Sequence, residues 1–550
     1  RNGPPDPTTA RSPMTAGIGM AEFTESRSLV CGTRGVVATS QPAASFAALR
    51  VLEDGGNAVD AAIAASVLLG VLEPMQAGPG GDVMALVFDA DERRLIGLDG
   101  SGRAGRRADP DCFTERIRAG DMSPPAQGIR AVTVPGAVRG WLDILERYGT
   151  MDRARILRPA IDAAGSGFAV APQTAQTWAM AEGFFKEYPD SAAIWSVGGG
   201  RAPRCGERFA NPALARSLRE IADGGAEAFY GGAAGREIVA LSERSGGFLT
   251  DADLAEHRSE WVEPLESLYR GRRLVQMPPN TQGAVVSAAL GVLERLMPEG
   301  GAFDHPAFTR LQVESVMTCF MEVGSRIADR GHMPGIEQLV SAAALDVMAE
   351  RVRRRYATPR GAVAPAGGDT AFVAVADSRG GFVALMASLF VPWGSGVTAR
   401  GSGILLQNRG HGFSLEAGHP NRLGPGKKPR HTILPAMMLD AAGMPCMAFG
   451  FVGGDMQVQA QLQFLCNLID GGMGLQRALD APRWRWEGRG MAVAFERRDD
   501  PRARALLEAG FELSEAQGFF GGGQAVAHDA TTGSLMGASD LRRDGTALAL

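Results

Sequence analysis

Apolar positions along the chain follow two periods. Phe46, Leu49, Val51 and Leu52 recur at helical spacing until Gly55-Gly56 ends the pattern, and a second helix is predicted from the cap residue Asn57 to about Leu72. Its apolar run over 61–72 contains Gly70 and falls short of the roughly 20 residues that cross a bilayer, so it predicts a buried helix and no membrane span. After the turn at 77–81 the period becomes that of strands: 83–88 and 95–98, joined by a charged turn, predict a hairpin. Helical patterns dominate from about 150 to 360, with Thr250 capping one start, a single good strand at 274–277, and a helix over 283–296. Strands return at 370–376 and 382–389, then around 433–439 and 447–452, and no internal repeat is visible.

The hairpin over 370–389 carries a testable register. Its turn at 377–381, centred on Arg379, sets Ser388 opposite Thr370, and directly opposed residues place their Cβ atoms about 4.5–5.5 Å apart. A slip of one residue would separate the two hydroxyls. The stretch before the hairpin, 357–369, is rich in Pro, Gly and Ala without an apolar period, which is the composition of a linker. Thr370 therefore begins a strand directly after a segment that a cut could reach. On this stretch alone, the plainer reading is a strand that happens to start with Thr.

Composition narrows the chemistry. At 550 residues the chain can bury a large core, and 45% hydrophobic with 21% charged residues is globular rather than disordered. A net charge of −5, without basic clusters beside aromatics, speaks against nucleic acid as a partner. Cys31, Cys112, Cys205, Cys319, Cys446 and Cys466 are far apart and lack Cys-x-x-Cys spacing, and the seven histidines form no His-x-x-x-His pair. No metal and no cofactor are expected. Residues 1–29 read as a disordered leader or cloning remnant, polar and Pro-rich at first and lacking the apolar region of a secretory signal, so a cytoplasmic location is expected.

Three segments stand out in order along the chain: Gly55-Gly-Asn-Ala-Val-Asp-Ala-Ala-Ile-Ala-Ala65, Val134-Pro-Gly-Ala-Val-Arg-Gly-Trp141 and Gly246-Gly-Phe-Leu-Thr-Asp-Ala-Asp-Leu254. With them, over about 30–545, the chain resembles the gamma-glutamyltranspeptidase family of N-terminal-nucleophile hydrolases, the first segment being similar to that family's first helix pair and the others to its later landmarks. The resemblance implies an α+β fold, a four-layer αββα sandwich. It implies a precursor that cuts itself between Asp369 and Thr370 into a large subunit, 30–369, and a small one, 370–550, held in one body. Thr370 would be the nucleophile, its freed α-amino group (reference pKa about 7.7–8.0) the base, Ser388 its support, and Gly453 and Gly454 the oxyanion hole.

Departures from the transpeptidases are equally specific. Ser101 stands where their motif has the Arg that holds the substrate's α-carboxylate, and Gly412 stands where an Asp takes its α-amino group. At about 1.5–3 kcal/mol for each hydrogen bond to a charge, losing both weakens γ-glutamyl binding by roughly a hundredfold to ten-thousandfold. Arg409 replaces a Gln, His431-Thr432 replaces a Ser-Ser pair, and Phe390 replaces an Asn. The segment 410–428 is shorter than in lidded transpeptidases, which implies water as acceptor. This pattern resembles the branch that includes cephalosporin acylases and oxamate amidohydrolases, and implies hydrolysis of a small acyl amide.

Arg103, Arg409 and Arg430 are each able to hold a substrate carboxylate, Arg409 with the best claim. His431 and Thr432 either meet the acyl group or fill the core, and Phe390, Trp393 and Met456 either line an acyl pocket or are plain core. Asp455 binds an amine or caps the helix after Gly454, the cap being the plainer role. Two alternatives remain at this point: a γ-glutamyl hydrolase or transpeptidase with relocated anchors, and an uncut, inactive relative that serves as a binding protein.

Overall fold

Fourteen strands account for the two large sheets. In chain order they are β1 (Val30–Gly32), β2 (Gly35–Thr39), β3 (Asp82–Asp89), β4 (Arg94–Gly100), β5 (Glu260–Val262), β6 (Leu265–Tyr269), β7 (Arg272–Gln276), β8 (Asp369–Asp377), β9 (Phe382–Phe390), β10 (Ala436–Leu439), β11 (Pro445–Val452), β12 (Gly522–Asp529), β13 (Ser534–Ser539) and β14 (Thr546–Ala549). One sheet has the order β1-β13-β12-β11-β10-β7-β6 and the other β14-β2-β8-β9-β3-β4-β5, with every neighbouring pair antiparallel. The computed structural model describes residues 27–297, 303, 305, 307–333, 335–354, 368–488, 490–497, 499–515 and 520–550. The expected leader up to residue 26 and the linker up to 367 lie outside the described residues.

The two sheets stack face to face. Phe372, Ala374, Met386, Val275, Met437, Ala448 and Val526 bury their side chains between them, one face of each sheet supplying alternate residues. The opposite faces are also apolar, so each needs its own cover. Helices α1 (Pro42–Glu53), α2 (Ala58–Leu72), α3 (Ala137–Tyr148), α4 (Arg153–Ser166) and α5 (Pro212–Tyr230) cover the β8–β9 sheet. Helices α6 (Gly283–Leu296), α7 (Phe308–Glu322), α8 (Ala342–Arg353) and α9 (Met456–Ile469) form the layer on the other. The result is a four-layer αββα sandwich, an α+β fold, as the resemblance implies.

Local chemistry explains the starts that the sequence predicts. Asn57 accepts from the Asp60 amide while the Asp60 carboxylate accepts from the Asn57 amide, and Thr250 with Asp253 repeats the arrangement. All fifteen residues of α2 are buried, as an apolar helix without a polar face requires. Phe46 departs from its apolar pattern, since it is 56% exposed at the surface of α1.

The central strands bring both parts of the chain together. β8, which contains the expected cut, lies between β2 and β9, and β9 pairs with β3, so segments from before and after residue 369 alternate within one sheet. The other sheet interleaves in the same way at β11, β10 and β7. Separating 30–369 from 370–550 would break ladder hydrogen bonds in both sheets and expose both cores.

Candidate active site

Three adjacent strands deliver three side chains to one place. From Ala371↔Ala387 onward, β8 and β9 keep the register expected from a turn centred on Arg379, while Asp369 pairs with Phe390 across a bulge. Ser388 in turn pairs with Asp82 on β3. Thr370 Oγ1 donates to Ser388 Oγ at 3.5 Å, so the two hydroxyls meet as the hairpin register predicts. Ser388 Oγ also accepts from the Phe390 amide at 2.8 Å, which fixes it at the strand end.

Arg409 closes the group from the loop side. It is fully buried, with Nη2 3.3 Å from Ser388 Oγ, Nη1 3.3 Å from Thr432 Oγ1 and Nε 3.6 Å from Asp82 Oδ2. The guanidinium lies 4.2 Å from the centre of the Phe390 ring. Phe390 holds a positive φ of 82°, a strained position for a bulky residue, which places its ring beneath the cation. Burial lowers the Arg409 pKa to about 9, against the pull of Asp82, so the side chain remains cationic at neutral pH.

Asp82 is the counter-charge, and sequence reasoning passed over it. Burial pushes its carboxyl up to about 6, opposed by Arg409 and by the Gly102 amide, which donates to Oδ1 at 3.0 Å. His431 Nε2 lies 3.3 Å from Asp82 Oδ2, while its Nδ1 accepts from the Ile433 amide at 3.3 Å. One tautomer serves both contacts, with the proton on Nε2. Burial and the nearby Arg409 hold His431 far below its usual pKa, so it is neutral. The signal for Asp82 was present: an acid directly after Gly80-Gly81, at the head of a strand that is apolar from Val83 to Phe88.

Glycine makes room for the chain just ahead of Thr370. Gly453 and Gly454 follow β11 at φ of 119° and 61°, a left-handed pair that side chains rarely adopt, just before α9. A Cβ on Gly368 would stand 3.0 Å from Gly454 Cα and from the Phe390 carbonyl oxygen, and 3.3 Å from the Gly454 nitrogen. The residue before Asp369 is thus lodged on the backbone of the Gly-Gly turn. Thr370 itself is buried to 1% exposure while still joined to that segment.

The remaining predicted residues divide. Arg103 is spent elsewhere: it pairs with Glu260 at 2.5 Å and Asp329 at 2.9 Å and donates to the Gly426 carbonyl. That network surrounds buried Lys428, whose Nζ is 2.8 Å from Asp99 Oδ2 and 3.1 Å from Glu260. Asp455 occupies the cap position of α9 without a side-chain cap hydrogen bond, and its carboxylate lies 3.8 Å from Arg430. Trp393 packs edge-on against Trp178, Phe185 and Trp195, inside an aromatic cluster of the core. Met456 is buried in the core between the β10–β11 sheet and its helices. Among the described residues no group of three His, Cys, Asp or Glu is arranged to hold a metal ion, and no helix is long and apolar enough to cross a membrane.

A family model for gamma-glutamyltranspeptidase matches residues 44–550. The chain belongs to the gamma-glutamyltranspeptidase family. It is similar to the glutathione hydrolase-like YwrD proenzyme of Bacillus subtilis, with 35% identity over 95% of this chain and 99% of that protein. It is also similar to the oxamate amidohydrolase proenzyme of Klebsiella pneumoniae, with 33% identity over 94% and 98%. Among solved structures, a cephalosporin acylase from Bacillus halodurans superposes with a TM-score of 0.87 and 37% identity, covering 95% of this chain and 97% of the other. This family member is therefore an enzyme, with acylases and amidohydrolases among its relatives.

Proposed function

We propose that the protein is a self-processing amidohydrolase that hydrolyses a small carboxylated acyl amide through an acyl-enzyme on Thr370, with water as acceptor. The single observation that carries this reading is the placement of Thr370 Oγ1 against Ser388 while Gly368 rests on the Gly454 backbone. In that geometry the hydroxyl attacks the Asp369 carbonyl, the Gly453 and Gly454 amides receive the oxyanion, and collapse to an ester frees the Thr370 amine. Water then releases residue 369. The free amine takes the Oγ1 proton in each later cycle and passes it to the leaving amine, after which water clears the acyl group.

Arg409 selects the acyl group. Its Nη2 is one 3.3 Å contact from Ser388, which is one 3.5 Å contact from Oγ1, so the cation lies within about 7 Å of the nucleophile. A carboxylate held there lies near the scissile carbonyl, and a short acyl group in which the two adjoin suits that reach. The relative named for oxamate, in which a carboxylate adjoins the amide, supports this preference. Arg103, locked to Glu260 and Asp329, takes no part in it. Arg430 and Asp455, His431 and Thr432 form the surrounding wall.

The test is to follow self-cleavage and turnover together. Wild-type protein should yield a small fragment whose N-terminal residue is Thr370, and Thr370→Ala should stay intact and inactive. Amide turnover by protein whose Asp369–Thr370 bond is intact would overturn the mechanism. Faster hydrolysis of γ-glutamyl p-nitroanilide than of 4-nitrooxanilate would overturn the acyl preference.

A further inference from the structure

Gln457 is a second side chain, beside Ser388, that reaches the Thr370 hydroxyl. Its Nε2 lies 3.3 Å from Thr370 Oγ1, and its Oε1 accepts from the Leu434 amide at 3.0 Å. The second contact fixes the first: a backbone N–H donates only to the amide oxygen, so the NH₂ end faces Thr370. Gln457 thus gives a hydrogen bond to Oγ1 and is unable to accept its proton.

The helix that carries Gln457, α9, is tied to the backbone of Leu434. One turn later, Gln461 donates from Nε2 to the Leu434 carbonyl at 2.7 Å, so two side-chain amides serve Leu434 as a neighbouring strand would. Leu434 follows His431 and Thr432 in the chain, and α9 starts two residues after Gly454. Farther round α9, Gln459 bonds the Trp486 backbone at 2.8 and 3.2 Å, and Gln463 bonds that of Trp484 at 3.0 and 2.9 Å. The spacing of glutamines at 457, 459, 461 and 463 is a set of anchors, of which one alone touches the reacting oxygen.

Resting on the proposed Thr370 chemistry, we propose that Gln457 is a catalytic residue: it donates to Oγ1 as the Thr370 hydroxyl gives up its proton, which ends on the Thr370 nitrogen in self-cleavage and is taken by the free Thr370 amine in each acylation, stabilising the developing alkoxide and directing its free lone pair at the carbonyl. The Oγ1–H bond is left pointing at Ser388, as the contact between the two hydroxyls requires. The donor is used in self-cleavage and again in each acylation, because the same oxygen attacks in both. No proton moves through Gln457. A carboxylate in its place accepts where the amide gives, and repels the alkoxide until it is itself protonated.

Self-cleavage provides an assay that needs no external substrate. The full-length chain is made in a short cell-free pulse, and loss of the intact band is timed at several pH values between about 5 and 8 for wild type, Gln457→Leu, Gln457→Glu and Gln461→Glu. Gln457→Leu should slow cleavage about 10- to 100-fold, as expected for losing a hydrogen bond to a developing charge. The rate of Gln457→Glu relative to wild type should climb as pH falls, because the protonated carboxyl regains a donor. Asp82, His431 and Arg409 face the same cluster in every variant, so their titration largely cancels in that ratio. Gln461→Glu, which loosens Leu434 without touching Oγ1, should show a flat ratio.

Wild-type rates in Gln457→Leu, or matching pH profiles in the two Glu variants, would overturn the proposal. Should Gln457→Leu fail to fold, the near-isosteric Gln457→Glu decides alone. Thr370→Ala run beside them separates failure of this inference from failure of the mechanism, since cleavage in that variant would remove the nucleophile itself.

Discussion

Replacing Arg409 by Met removes a buried cation while keeping most of its volume, and the structure sets the scale of each consequence. Asp82 loses the charge 3.6 Å away, but its carboxyl already sits at about 6. Removing the cation that lowers it pushes that carboxyl up further, so an orphaned Asp82 takes up a proton near neutral pH and has a cheap escape. Binding of an anionic acyl group loses more, about 1.5–3 kcal/mol for a hydrogen bond to charge, or roughly 10- to 150-fold in kcat/KM. The assay compares 4-nitrooxanilate with its ethyl ester, which differ in the carboxylate alone, by release of nitroaniline from both proteins. The acid should lose that factor relative to the ester. If both substrates slow equally, Arg409 acts only through Ser388 and the assignment of a carboxylate anchor is wrong.

Ser388→Ala should slow self-cleavage and turnover by one to two orders of magnitude, since Oγ1 loses the acceptor that orients its proton, and band-shift kinetics read the first of these directly. Gly454→Ala should slow cleavage sharply while leaving a folded chain by circular dichroism, because φ of 61° is a left-handed conformation that a Cβ disfavours. Lys428→Met leaves Asp99 charged and buried, with a loss of about 3–5 kcal/mol, seen as a lower denaturation midpoint and restored in large part by adding Asp99→Asn. The pH dependence follows from the same pair. Burial acts to raise the Asp99 pKa, but Lys428 and Ser101 prevail and hold it at about 2, so its stabilisation is present above about 4 and fades as pH falls through about 2. Lys428→Met should lose that acid-side slope, and an unchanged slope would show that the pair is not its source.

Local pattern determined a good deal of this protein. Asn57 and Thr250 announce their helices because a cap is decided within four residues, and the 370–389 hairpin announces its register because a short turn leaves one alignment. The order of motifs was sufficient to indicate the family and hence the sandwich. Several strands escaped: β5 and β6 lie in a stretch that reads as helical, and β12 to β14 are Gly- and Ala-rich, so their strand character comes from partners far away in sequence. The same limit governs the site. Whether an arginine binds substrate or a carboxylate is decided by what surrounds it, and only packing placed Arg103 against Glu260 and Asp329 but Arg409 against Ser388, Thr432 and Asp82. The raised pKa of Asp82 and the fixed orientation of Gln457 likewise arise from burial and from a backbone amide 23 residues away, neither of which is encoded in neighbouring letters.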